Sequence, residues 1–209
     1  MLEKSLPYSD IIMKADHVTA STWKPAYLPD GYSFKMYEEG DETAWADLET
    51  SVKEFSSREE ALAYFQKVFL PHRRLLPFRM CFVVDEDNRI CATASAWMKT
   101  ENGCYWPILH WVSTAPDVQG KGIGHAVISY ALSLFSRTDP GKAVFLHTQT
   151  WSYRAVSIYY QYGFRITKSP LSGVQTDFRY QETLQGVLPE SSCSAQSAHP
   201  TGPRRRWRC

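Results

Sequence analysis

Gln119-Gly120-Lys121-Gly122-Ile123-Gly124 separates a strand-like run, Tyr105 to Thr114, from an amphipathic run, Ile123 to Phe135. Three glycines in five positions let the backbone take positive φ and let a ligand approach the main chain closely, at an entropic cost that a simple connector has no reason to bear. Unpaired N–H groups leading into a helix N-terminus, with the helix dipole behind them, form a concavity favourable to anions. A pyrophosphate suits such a turn, with Lys121 as a secondary source of charge. The nucleoside triphosphate loop GxxxxGK[ST] does not fit, because no Gly-Lys pair here is followed by Ser or Thr. The dinucleotide fingerprint GxGxxG fails at its sixth position, which is His125. A plain glycine connector is the competing reading.

Downstream stands Ser152-Tyr153-Arg154-Ala155-Val156-Ser157-Ile158-Tyr159-Tyr160-Gln161-Tyr162-Gly163-Phe164. Ala155, Ile158, Tyr159 and Tyr162 recur at helical spacing along one face, and Gly163 is placed to cap the C-terminus. Between the two motifs, AVFLHTQT reads as a strand. Upstream, Tyr32 to Tyr37 alternates like a strand, DETAWADLETSV and SREEALAYFQKVFL read as two helices opened by acidic residues, and MCFVVDEDNRICATASAW reads as a hairpin turning at Asp85 to Arg89. A second turn at Glu101 to Gly103 leads into Tyr105 to Thr114. Short strands are expected near Phe164 to Thr167 and Val174 to Tyr180. The order β-α-α-β-β-β-α-β-α-β-β places helices against a mixed, mostly antiparallel sheet, an α/β (α+β) arrangement.

The two motifs resemble the paired signatures of the GNAT acyltransferase family. Gln119, Gly122 and Gly124 meet Q/R-x-x-G-x-G/A, and the later stretch meets N-x-x-A-x-x-L-Y-x-x-x-G-F with Ser152 in the Asn place and Ile158 in the Leu place. The resemblance is specific over 108–164 and topological from about 32 to 180. It implies acetyl transfer from acetyl-CoA, as co-substrate, to an amine by direct attack through a tetrahedral intermediate, with no metal. It also implies that Gln119, Gly120, Lys121, Gly122, Ile123, Gly124 and His125 hold the coenzyme pyrophosphate. Val112, Ser113 and Thr114 would lie along the thioester, with Ser152, Ala155 and Tyr159 completing the coenzyme wall. Tyr159 matches the tyrosine that protonates the departing thiolate; a core aromatic is the plainer reading. His110, expected to share a face with Val112 and Thr114, is the candidate base for the amine, and a structurally satisfied strand histidine is the alternative. His147 is a weaker candidate.

Acceptor choice would rest with the region from Ser51 to Pro77. Trp97, Tyr105, Trp106, Trp111 and Trp151 bring aromatic bulk that would suit an apolar or cationic acceptor, against ordinary packing. Small-molecule amines and peptide amines both remain open, and a homodimer accords with similar proteins. A second reading of the same motifs is a catalytically silent acyl-CoA-binding sensor or regulatory module. A nucleotide-binding protein is disfavoured by the missing partners of the glycine turn.

Composition sets the remaining bounds. The 209 residues suffice for one domain with a substantial core. The expected divisions are an extension over 1–31, the domain over 32–183, and a basic, disordered tail over 184–209. The net charge of +1 conceals four Arg in the last 21 residues, which leaves the rest at −2 and without a nucleic-acid footprint. No apolar stretch approaches the roughly 20 residues of a membrane span, and no secretory signal is evident, so the cytoplasm is the expected location. Five cysteines without CxxC spacing argue against a disulfide framework or zinc site and read as reduced thiols.

Overall fold

The computed structural model describes residues 3–20 and 22–185. Its elements in chain order are β1 (Asp10–Ala15), α1 (His17–Ala20), β2 (Tyr32–Met36), α2 (Glu42–Ser51), α3 (Arg58–Val68), α4 (Leu76–Arg79), β3 (Met80–Asp85), β4 (Ile90–Glu101), β5 (Cys104–Thr114), α5 (Ile123–Thr138), β6 (Val144–Gln149), α6 (Tyr153–Gln161), β7 (Arg165–Ile166) and α7 (Tyr180–Thr183). The strands form a mostly antiparallel sheet in the order β2-β3-β4-β5-β6-β1-β7, in which β5 and β6 run parallel. This is the mixed, helix-flanked α/β arrangement expected from the element order.

Local chemistry accounts for the helix starts and turns. Ser57 precedes α3 in extended conformation, and its hydroxyl accepts the Glu60 N–H at 3.2 Å. Ser57→Ala should therefore cost about 1 kcal/mol, measurable as a lowered denaturant midpoint with an unchanged slope. The β4–β5 turn has both Asn102 and Gly103 at positive φ, the pairing that a tight hairpin requires.

Adjacent residues of β5 point to opposite faces and so locate the helices. Thr114 lies against Gly124 of α5, whereas the Ser113 hydroxyl donates to Glu49 of α2. Helix α5 covers β3, β4 and β5 on one side, and α2 with α3 covers the other. The second layer is aromatic: Trp45 is edge-on to Phe65 and Phe69, with Phe55, Tyr64 and Trp111 beside it. Arg79 is fixed in the core by Asp139 at 2.9 Å and by the carbonyls of Ala96 and Thr138, tying α4 to β4 and the end of α5.

Three expectations need correction. The stretch read as an irregular extension contains β1, which lies within the sheet between β6 and β7 with Ile11, Ile12 and Met13 fully buried. Its three consecutive apolar residues, buried on both faces, lack the alternation of a half-buried strand. The strand expected over Val174 to Tyr180 does not form. Instead the Thr176 hydroxyl accepts the Ile12 N–H at 3.0 Å and donates to the Thr167 carbonyl at 2.8 Å, so a side chain stands where a backbone ladder would run. Cys81 and Cys91 are free and buried, but Cys104 is disulfide-bonded, against the reading of five reduced thiols. The Arg-rich tail, with Cys193 and Cys209, lies outside the described residues.

Candidate active site

The site begins where β5 and β6 part. Their pairing covers Ile108 with Phe145 and Leu109 with Leu146, and beyond it two cavities open along the seam. A bulge in β5 shapes the opening. His110 pairs with Ser95 and Ser113 with Thr93, so Trp111 and Val112 together oppose Ala94. Trp111 has φ of 48°, a left-handed conformation that a bulky residue holds only where its surroundings enforce it. Those surroundings are Trp45, Phe55 and Tyr64, and the indole N–H donates to the Tyr64 hydroxyl at 3.0 Å. The extra residue resets the alternation: His110 shares a face with Ser113, and not with Val112 and Thr114 as expected.

The main chain then turns donors toward the seam. The Ala115 N–H donates back to Cys91 at 2.8 Å, so by alternation the N–H and C=O of Thr114 face away from β4. The Thr114 carbonyl accepts from Gln119 Nε2 at 3.0 Å, which anchors the glycine turn to the end of β5. Gly120 and Gly122 have φ of 81° and 83°, and a Cβ at either would meet nothing within 4 Å. Their glycine requirement is therefore conformational, with open space above the turn. Gly124 differs: a Cβ there would stand 3.2 Å from Thr114 Oγ1.

The first cavity, of about 520 Å³, is lined by Val112, Ser113, Thr114, Gln119, Gly120, Gly122, Gly124, His125, Ser152 and Ala155, together with Val52, Glu54, Ile128, Arg154 and Ile158. Residues expected at the coenzyme from two separate motifs thus meet around one space. Lys121, Ile123 and Tyr159 do not line it. The Lys121 ammonium is exposed and lies 3.4 Å from the Tyr32 hydroxyl, and Ile123 is fully buried in the core.

A second cavity, of about 330 Å³, shares Glu54, Val112, Ser113, Ser152 and Ala155 with the first and continues past Tyr159, His110, Lys99, His147 and Gln149. Tyr159 is 6% exposed and lines this second cavity, one helical turn on from the shared Ala155. Burial, with the charge of Glu54 adding to it, raises its phenol well above the ordinary range, so the hydroxyl keeps its proton. His110 behaves oppositely. Burial, then the charges of Lys99 and His147, push its pKa down to about 3, and its Nδ1 is buried without a partner among the described residues. His147 pairs with Asp10 at 2.7 Å.

Two carboxylates at the site were not singled out by sequence reasoning. Glu54 lies in the Ser51 to Pro77 region expected to govern the acceptor. It projects into the open junction, and the surrounding protein raises its pKa despite the opposing charge of Lys4. Glu49 lies behind Ser113, whose hydroxyl donates to its Oε2 at 2.8 Å, while Oε1 is buried with no partner among the described residues. Burial raises Glu49 to about 8, partly offset by the Ser113 hydrogen bond. The folded chain therefore holds a proton between pH 4.5 and about 8 that the unfolded chain has released, so this group's contribution to stability falls as pH rises through that window. Glu49→Gln should remove a slope of up to about 1.4 kcal/mol per pH unit, measurable by denaturation at several pH values.

The aromatic residues are divided between packing and site. Trp97 packs on Phe69, Tyr105 joins Arg79 and Asp139, and Trp151 packs on Tyr8; of the five, Trp111 lines the second cavity. Among the described residues no His, Cys, Asp and Glu are grouped to hold a metal ion, and no helix is long and apolar enough to cross a membrane.

Comparison with known proteins agrees with this geometry. Residues 77–166 match the model of the acetyltransferase (GNAT) domain, which joins the meander, the glycine turn and α6 in one matched stretch. No curated protein matches. Among solved structures, the GCN5-related N-acetyltransferase from Sphaerobacter thermophilus is 19% identical, with a TM-score of 0.57 over 78% of this chain and 49% of that one. An acetyltransferase of the GNAT family from Colwellia psychrerythraea is 12% identical, with a TM-score of 0.56 over 78% of this chain and 54% of that one. A tandem GNAT protein from the clavulanic acid biosynthesis pathway is 15% identical, with a TM-score of 0.56 over 76% and 50%. At these identities the likeness is one of fold, and the chain spans about half the length of each of the three.

Proposed function

We propose that the protein is an N-acetyltransferase that takes acetyl-CoA in the first cavity and an amine in the second. The observation that carries this reading is the junction: the two cavities share Glu54, Val112, Ser113, Ser152 and Ala155, so an anion-compatible glycine cradle adjoins a separate polar cavity lined by Tyr159. Acetyl-CoA, when bound, would supply a thioester carbonyl activated for attack by an amine.

The chain's own groups divide the work. The N–H groups at the glycine turn and the first turn of α5 would hold the pyrophosphate, with Arg154 at the cavity wall as a cationic contact. The open-edge N–H groups of β5 near Val112 and Thr114 would donate to the oxyanion. Glu54 would attract the ammonium and draw off its proton, since a raised carboxyl is better matched to this than an imidazole pushed to about 3. His110 is then a neutral hydrogen-bond acceptor in the cavity wall. The Tyr159 hydroxyl would donate to the leaving sulfur; burial that raises the phenol also raises a thiol in the same place, so the two remain matched. Localisation in the cytoplasm and a homodimer accord with this reading.

Thiol release from acetyl-CoA against a panel of amines, beside a direct titration of acetyl-CoA, tests the proposal. Amine-dependent release is the expected result. Binding without release on any amine would favour the silent acyl-CoA-binding module, and absence of binding would overturn both. Glu54→Gln should reduce turnover at neutral pH by roughly tenfold or more, with coenzyme affinity retained.

A further inference from the structure

The second cavity is electrically lopsided. At the junction stands Glu54, whose carboxylate has no ion pair within 4 Å among the described residues. At the other end stands Lys99, half-buried on β4, and its ammonium has no carboxylate or hydrogen-bond partner there either. Lys99 and His110 line the same cavity, and the charge of Lys99 is felt by the imidazole. Nearby His147 is already paired with Asp10, which leaves Lys99 as the uncompensated charge of that end. A partly buried cation that lines a cavity and has no counter-ion among the described residues favours an anionic group on a ligand, because desolvated charge is stabilised chiefly by pairing.

The geometry points to an acceptor that carries a carboxylate at the end remote from its amine, an inference that rests on the second cavity being the acceptor site. One ammonium matches one negative charge, which suits a carboxylate better than a phosphate dianion. The register sets the spacing. Along β4, Thr93 is opposite Ser113 and Lys99 opposite Trp106. At about 3.3 Å per residue, the step from Thr93 to Lys99 covers about 20 Å, and the lysine's flexible four-carbon stem spans part of it, leaving on the order of 10 Å between charge and junction. An α-amino acid, with both groups on one carbon, is too short. An ω-amino acid or a short peptide presenting its N-terminal amine fits.

Three amines of nearly equal length separate the possibilities: ε-aminocaproate, its carboxamide and hexamethylenediamine, each assayed by thiol release with acetyl-CoA. The parent protein should prefer the carboxylate by roughly tenfold to a hundredfold in kcat/KM, expressed mostly in KM. Lys99→Met should lose the preference, and Lys99→Glu should reverse it in favour of the diamine. Equal use of the three amines, or a preference unchanged in Lys99→Glu, would overturn the inference and leave acetyl transfer standing. If none releases thiol, equilibrium binding of the same three in the presence of coenzyme A decides: ε-aminocaproate binding no tighter than its carboxamide overturns the carboxylate subsite. The separate acetyl-CoA titration shows whether the wider reading has failed.

Discussion

Gly122→Val should abolish measurable coenzyme A binding, a loss of at least about a hundredfold, or about 2.7 kcal/mol. Gly122 caps α5 at φ of 83°, where a β-branched side chain is strongly disfavoured. Nothing within 4 Å would obstruct the new Cβ, so the protein does not have to repack to admit it. The valine must instead be accommodated by turning the backbone out of the left-handed region. That rotation redirects the N–H groups between Gly120 and the first turn of α5, the donors proposed to hold the pyrophosphate. Titration of coenzyme A, with thermal unfolding to verify folding, reads both effects. A local strain cost of about 1–3 kcal/mol would lower the melting temperature while leaving a folded chain. Undiminished coenzyme affinity in that folded chain would remove the glycine turn from the site. Gly124→Ala provides a contrast, since its Cβ meets only Thr114 Oγ1, at 3.2 Å, and its effect should be smaller.

Tyr159→Phe should lower turnover by roughly a hundredfold while coenzyme affinity stays near normal. The ring is buried against Phe164, so phenylalanine keeps the packing and removes one hydroxyl. Among the described residues that hydroxyl has no hydrogen-bond partner, and the residue lines the second cavity. A buried tyrosine serving only the core would ordinarily satisfy its O–H, so the substitution separates the two roles. Full turnover in the variant would assign Tyr159 to packing alone. The raised phenol also implies that the parent's rate shows no loss from tyrosine ionisation below about pH 10.

Most of the sheet and the coenzyme half of the site were legible because their signals are local. Ser57 with Glu59 and Glu60 announces α3, Asn102-Gly103 announces a hairpin, and the glycine turn is contiguous in sequence. The acceptor half was not. Glu54 and Lys99 become neighbours of one cavity only because a loop after α2 and the far end of β4 converge, a juxtaposition that neither segment encodes by itself. The bulge at Trp111 leaves no mark either, since the residue at positive φ is a tryptophan and its cause is the ring cluster from α2 and α3. For that reason strand alternation carried His110 to the wrong face. Strand β1 was missed because its partners come from far along the chain.

That last feature bears on how the molecule assembles over time. Asp10 lies beside His147, 137 positions later, and β1 fills the place between β6 and β7. During synthesis Ile11, Ile12 and Met13 must wait, uncovered, until nearly the whole domain has emerged, whereas the β2–β5 meander can pair as it is made. Such long-range closure slows folding and prolongs the exposure of an apolar strand. The late-docking β1, β6 and β7 portion is thus where a chaperone holding the nascent chain would matter most.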